Sequence, residues 1–186
     1  MRLQPIEEPR GLIMRVAYWM SRRQLGAVMS PLKVLYARSP KLGRLGYRMQ
    51  TVVEKGLVLD EETRLLVTTH ASLINGCGFC ADLHLAQVVQ AKLGLEKFRA
   101  LEEFATSPHF DDRERSLLAY AEEMTRHRKV ADATFERLRA HWNEREIVEI
   151  TWLNAVGNYY NLMAVALDIE SDGLLDIALA RMGAVR

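Results

Sequence analysis

The sequence predicts an all-α protein, and three observations carry that prediction. No stretch alternates apolar and polar residues over a strand's length between turn residues. The punctuation is helical: Ser30-Pro31 and Ser39-Pro40 read as N-caps followed by proline at the first helical position, and Asp60, Asp111, Asp132 and Asn143 stand where caps belong. Between these marks the apolar residues recur every three to four positions, the spacing of one helix face.

Each element follows in order. Residues 11–29 form an amphipathic segment, and Gly43 and Gly46 weaken the stretch after Ser39-Pro40. DEETRLLVTTHASLI, from Asp60, has an acidic first turn and about four turns of apolar periodicity. Asn75-Gly76 interrupts it, and CGFCADLHLAQVVQAKLG resumes the helical pattern until Gly94. A short helix is expected near 95–104, with a loop at Ser107-Pro108. Asp111 with Glu114 predicts a capping box for the next helix, Asp132 a cap for ATFERLRAHW, and Asn143 a cap for EREIVEITWLNAVGNYYNLMAVAL.

Composition narrows the function classes. The 186 residues, 49% of them hydrophobic, suffice for one sizeable core. Twenty-five Lys and Arg against 24 Asp and Glu give no net field to recruit nucleic acid or an anionic membrane. The runs Arg22-Arg23 and Arg126–Lys129 read as solvated faces. The first residues carry too many charges for a signal peptide, and the eighteen-residue uncharged run 150–167 contains three asparagines that lipid would not tolerate. A cytoplasmic protein without membrane or nucleic-acid partners is expected.

Both cysteines lie in INGCGFCADLH, residues 74–84. Two cysteines placed at random in such a chain would be three apart only about 1% of the time. Cys77 falls near a helix start and Cys80 one turn on, where exposed amides and the helix dipole favour thiolate. His84 follows Cys80 by four residues and Cys77 by seven, so all three share a helix face and the imidazole can move protons. Thiol redox chemistry is the favoured reading. A metal clip completed by His70, or plain packing, remains open, and no thioredoxin-like strand precedes the pair. Elsewhere, Trp152, Tyr159, Tyr160 and Met163 read mainly as core, and Asn154, Asn158 and Asn161 require partners if buried. His109 and His141 suggest no partner.

LINGCGFCADLH resembles the signature of the alkylhydroperoxidase D-like and carboxymuconolactone decarboxylase family. LDEETRLLVTTHASLI is similar to the family's preceding helix, and FDDRERSLLAYAEEMT with EREIVEITWLNAVGNYYNLMAVAL to the second half of its two-repeat, peroxidase-related members. The resemblance implies a helical bundle of two pseudo-repeats, with residues 1–59 as an N-terminal segment, 60–106 as the thiol-bearing half and 107–186 as a half without cysteines. A weak internal match points the same way, placing residues 65–84 opposite 146–165.

By the same resemblance Cys80 is the peroxide-attacking cysteine, Cys77 its resolving partner and His84 the proton relay. The substrate is then a hydroperoxide and the reductant an unidentified thiol donor. No cofactor or metal is expected, and the protein is expected to be a homo-oligomer. The family's glutamate on the preceding helix is replaced by Leu65, and a histidine sometimes found between the cysteines by Phe79. Glu62, His70 and Glu146 are the conceivable stand-ins for that carboxylate, with His70 preferred. The rival expectation is a helical ligand-binding or redox-sensing module with little turnover.

Overall fold

The computed structural model describes residues 1–183, and all regular structure among them is helical. The first helix, α1 (Leu12–Leu25), stops at Gly26, whose φ of 90° is open to glycine at little cost. A π-helical turn, Leu32–Tyr36, leads to α2 (Pro40–Lys55). The thiol-bearing pair is α3 (Glu61–Ile74) and α4 (Gly78–Gln90). A short α5 (Leu95–Arg99) and a 3-10 turn (Leu101–Glu103) divide the single helix expected near 95–104. The chain then runs through α6 (Asp112–His127), α7 (Asp132–Arg139), the 23-residue α8 (Glu144–Ala166) and α9 (Leu174–Gly183).

Helix α3 is central: every position from Leu65 to Ser72 is buried, the polar Thr68, Thr69, His70 and Ser72 included. It packs against α4, α6 and α8. Leu66, Leu117, Leu118, Ile150, Leu153 and Phe98 form the heart of the main apolar cluster, and each such side chain contributes about 2 kcal/mol by burial. Leu65 belongs to this cluster as ordinary core. A second cluster surrounds the cysteines, joining Cys77, Phe79, Cys80, Ala86 and Val89 to Val34 of the π turn, Ala164 of α8, Ile169, and Leu174 and Ala178 of α9.

Several caps form as the sequence predicts. Asp60 accepts the Thr63 amide, and Asp111–Glu114 and Asn143–Glu146 form capping boxes. Others do not. Asp132 is the first residue of α7 and not its cap, because Glu123 of α6 already accepts the Ala131 amide and the Thr134 hydroxyl. Ser30 starts a π turn, and its amide and hydroxyl both donate to Asp172. Ser39 makes no side-chain cap bond. Helix α8 runs unbroken through Val156-Gly157, where Gly157 faces Ala71 and Thr68 of α3.

Helix α9 is an element the pattern reading missed. It lies along α4, and its first turn is capped from that helix: Asp82 accepts the Leu174 amide at 2.8 Å, the Leu175 amide at 2.9 Å and the Ser171 hydroxyl at 2.8 Å. The N-terminal residues strap across the same end. The Arg2 amide donates to the Leu167 carbonyl, the Ile6 amide to the Lys33 carbonyl, and the Tyr18 hydroxyl to the Ile6 carbonyl at 2.6 Å. The thiol region is thereby covered by the π turn, α9 and residues 167–172.

Candidate active site

The break at Asn75-Gly76 is a Schellman motif, which sets the thiol geometry. Gly76 is left-handed at φ 64°, its amide donates to the Leu73 carbonyl, and the Cys77 amide donates to the Ser72 carbonyl at 2.9 Å. Cys77 thus ends α3 and begins α4 at once, as the N-cap of the second helix. Its sulfur accepts the Cys80 amide at 3.3 Å, so the helix N-terminus acts directly on Sγ. Cys77 and Cys80 are joined in a disulfide with Cα atoms 5.3 Å apart. Only 2% of Cys77 and 5% of Cys80 is exposed.

His84 is half-buried one helical turn beyond Cys80. Part of its surface is accessible, yet protein surrounds the ring closely enough that desolvation pushes its pKa down to about 4. The imidazole is neutral at physiological pH, the form able to take a proton. Its Nδ1 lies 3.3 Å from the Ser72 hydroxyl oxygen. Ser72, wholly buried on α3, also donates to the Thr68 carbonyl at 2.7 Å and receives the Asn161 side-chain amide of α8 at 3.1 Å.

The asparagines of α8 find their partners here. Asn75, the last residue before the glycine, donates through Nδ2 to Oδ1 of both Asn158 and Asn161 at 2.9 Å. Asn158 donates to the Asn154 carbonyl at 2.8 Å and to Thr125 of α6, and Thr125 and Asn154 are bonded to each other. A polar seam therefore runs from α6 through α8 to His84, between apolar clusters. An unpaired buried amide would cost about 1–3 kcal/mol, and here the Asn side chains are paired.

The three conceivable stand-ins for the missing carboxylate lie in separate surroundings. His70 has neither ring nitrogen hydrogen-bonded among the described residues; it meets Phe104 edge-on, with ring centroids 5.2 Å apart, and burial lowers its pKa to about 4. Glu62 pairs at the other end of α3 with Lys97, which also holds Glu114. Glu146 closes its capping box and pairs with Arg113. None of the three hydrogen-bonds His84, whose partner is Ser72. Sequence reasoning missed Ser72 because a serine inside a helix carries no signal by itself. The signal lay in Asn158 and Asn161, polar residues at helical spacing in an apolar helix.

With this geometry in view, likeness to known proteins is specific. The model of the carboxymuconolactone decarboxylase family matches residues 44–123. An uncharacterized Escherichia coli K12 protein, YnjA, is 32% identical over 168 residues, covering 89% of this chain and 92% of its own. An uncharacterized peroxidase-related protein from Silicibacter sp. TM1040 is 27% identical with a TM-score of 0.77, over 88% of this chain and 87% of that one. The debrominase Bmp8, solved as a cysteine-to-alanine variant with 2,3,4-tribromopyrrole, shares the fold at 17% identity and a TM-score of 0.81, over 97% of both chains. The chain belongs to the alkylhydroperoxidase D-like and carboxymuconolactone decarboxylase family.

Proposed function

We propose that the protein is a thiol-dependent peroxidase that reduces hydroperoxides through a Cys77–Cys80 dithiol–disulfide cycle. The observation that carries this reading is a bonded Cys-x-x-Cys pair at a helix N-terminus, one turn from a neutral, oriented imidazole. Two different devices activate the two sulfurs. Cys77 is served by the helix N-terminus, whose Cys80 amide favours negative charge on its sulfur. Cys80 is served by His84, four residues on, which takes the thiol proton directly or through one water.

In the cycle, Cys80 thiolate attacks the terminal oxygen of ROOH and the O–O bond breaks. Protonated His84 gives its proton to the departing alkoxide, leaving ROH and Cys80 sulfenic acid. Cys77 thiolate then attacks that sulfur, the S–O bond breaks, and hydroxide leaves as water by taking up a proton. An external dithiol reduces the disulfide and is itself oxidised. Helix-stabilised Cys77 is the favourable leaving thiolate in that exchange. The peroxide is a small one, since both sulfurs are sealed by the π turn and α9.

Self-association and a reducing cytoplasmic setting are part of the proposal. The exposed Leu12, Ile13 and Trp19 of α1 and Leu45 and Tyr47 of α2 support self-association. Burial of both sulfurs supports a second reading, a redox-sensing module oxidised once with little turnover.

Peroxide consumption with a dithiol reductant tests the proposal. Many turnovers per chain are expected, falling at least a hundredfold in Cys80→Ser. An undiminished rate in that variant removes Cys80 as the nucleophile, and one oxidation per chain without turnover selects the redox-sensing reading.

A further inference from the structure

The polar seam has a direction, and that direction fixes the proton on His84. Start at the Asn154 carbonyl, which can only accept. The Asn158 side chain must present its NH2 there and therefore turns its oxygen toward Asn75. Asn75 must in turn present its NH2, and its second N–H can meet only an oxygen of Asn161. Asn161 is left with its own NH2 facing Ser72. At the far end lies another pure acceptor, the Thr68 carbonyl, 2.7 Å from the Ser72 hydroxyl.

A serine hydroxyl has one proton and two lone pairs. The proton goes to Thr68 at 2.7 Å in preference to His84 at 3.3 Å, and one lone pair receives Asn161. The remaining lone pair faces Nδ1 of His84, which must then carry the hydrogen. We propose that Ser72 and Asn161 are positioning residues that hold His84 as its Nδ1–H tautomer, leaving Nε2 unprotonated as the atom that exchanges protons with the thiol chemistry. They take over the orienting task that falls vacant at Leu65. Ser72 also receives the Cys77 amide on its backbone carbonyl, so one residue aligns both the resolving cysteine and the relay histidine.

The bearing on rate rests on the peroxidase reading; the tautomer does not. Long-range proton–nitrogen correlation spectra of the histidine rings in the intact oxidised protein at pH 7 report the tautomer directly. The expected result is a single neutral His84 with hydrogen on Nδ1 in the wild type. Ser72→Ala is expected to populate the Nε2–H form because the ring loses its acceptor. Asn161→Ala is expected to do so to a smaller extent, because the Ser72 hydroxyl keeps the Thr68 carbonyl but loses the donor that fixes its remaining lone pair on Nδ1. In both variants the rate of peroxide-driven disulfide formation is expected to fall about tenfold or more, with the reduced proteins folded by circular dichroism. An Nε2–H ring in the wild type overturns the assignment without any variant being made, as does an unchanged tautomer in both variants. A protein inert to peroxide but carrying the Nδ1–H ring would sink the peroxidase reading and leave the positioning role standing.

Discussion

At the scale of single residues, the buried His70 and the half-buried His84 sit in opposite situations. His84 has an assigned partner on one nitrogen, whereas His70 has a hydrogen-bond partner on neither among the described residues. Burial lowers both toward 4, below the ordinary 6.5, so the unfolded chain binds protons more readily than the folded one between those values. The stability linked to each neutral ring is complete above pH 6.5 and is lost as pH falls toward 4. For His70, a shift to about 4 gives a loss of about 2 kcal/mol by pH 5. Urea denaturation at pH 7.5 and pH 5 of the wild type and of His70→Leu tests this. The variant is expected to lose markedly less stability between the two pH values, and an equal loss would show that His70 is not the linked group. The residue scale is also where the sequence was least legible. Cys77, Cys80 and His84 announce themselves by spacing, but Ser72 and the role of Asn161 depend on which helix faces which.

Among the elements, the break between α3 and α4 was readable because Gly76 and the cap positions are local chemistry. The same holds for both capping boxes. Helix α9 was not readable, since its first amides are capped by Asp82 from a helix some ninety residues earlier. The π turn escaped for a similar reason: Ser30 spends its hydroxyl on Asp172. Asp82 lies two residues after Cys80, so the lid over the sulfurs is fastened beside the sulfurs themselves. Asp82→Ala removes acceptors for two amides and a hydroxyl, and a loss of about 1–2 kcal/mol in stability is expected. Loosened α9 should also admit reagents, so the disulfide should be reduced several-fold faster by dithiothreitol at fixed pH. Unchanged reduction kinetics would mean that access does not run under α9.

For the whole molecule, the all-α class was legible from periodicity alone, because helices with apolar stripes must pack against one another. The choice of α3 as centre was not read from the sequence, because its buried face includes Thr68, Thr69, His70 and Ser72, whose burial depends on the helices packed around them. What stays unburied is equally telling: α1 is 75% exposed at Leu12 and 58% at Trp19, and α2 buries only Gly46. Sedimentation at micromolar concentration is expected to give an oligomer, with Leu12→Glu combined with Trp19→Glu shifting it toward monomer. A wild-type monomer would refute the assembly. The shared role of Ser72 sets a limit on portability. A transplant of residues 75–84 onto another helical hairpin would move the sulfurs and the imidazole, but Ser72 sits on the preceding helix and Asn161 on α8, which begins only at Glu144. The ten-residue signature is therefore a visible tip: a chain keeping it while losing Ser72 and Asn161 would hold the thiols without the hydrogen-bonding framework that orients their histidine.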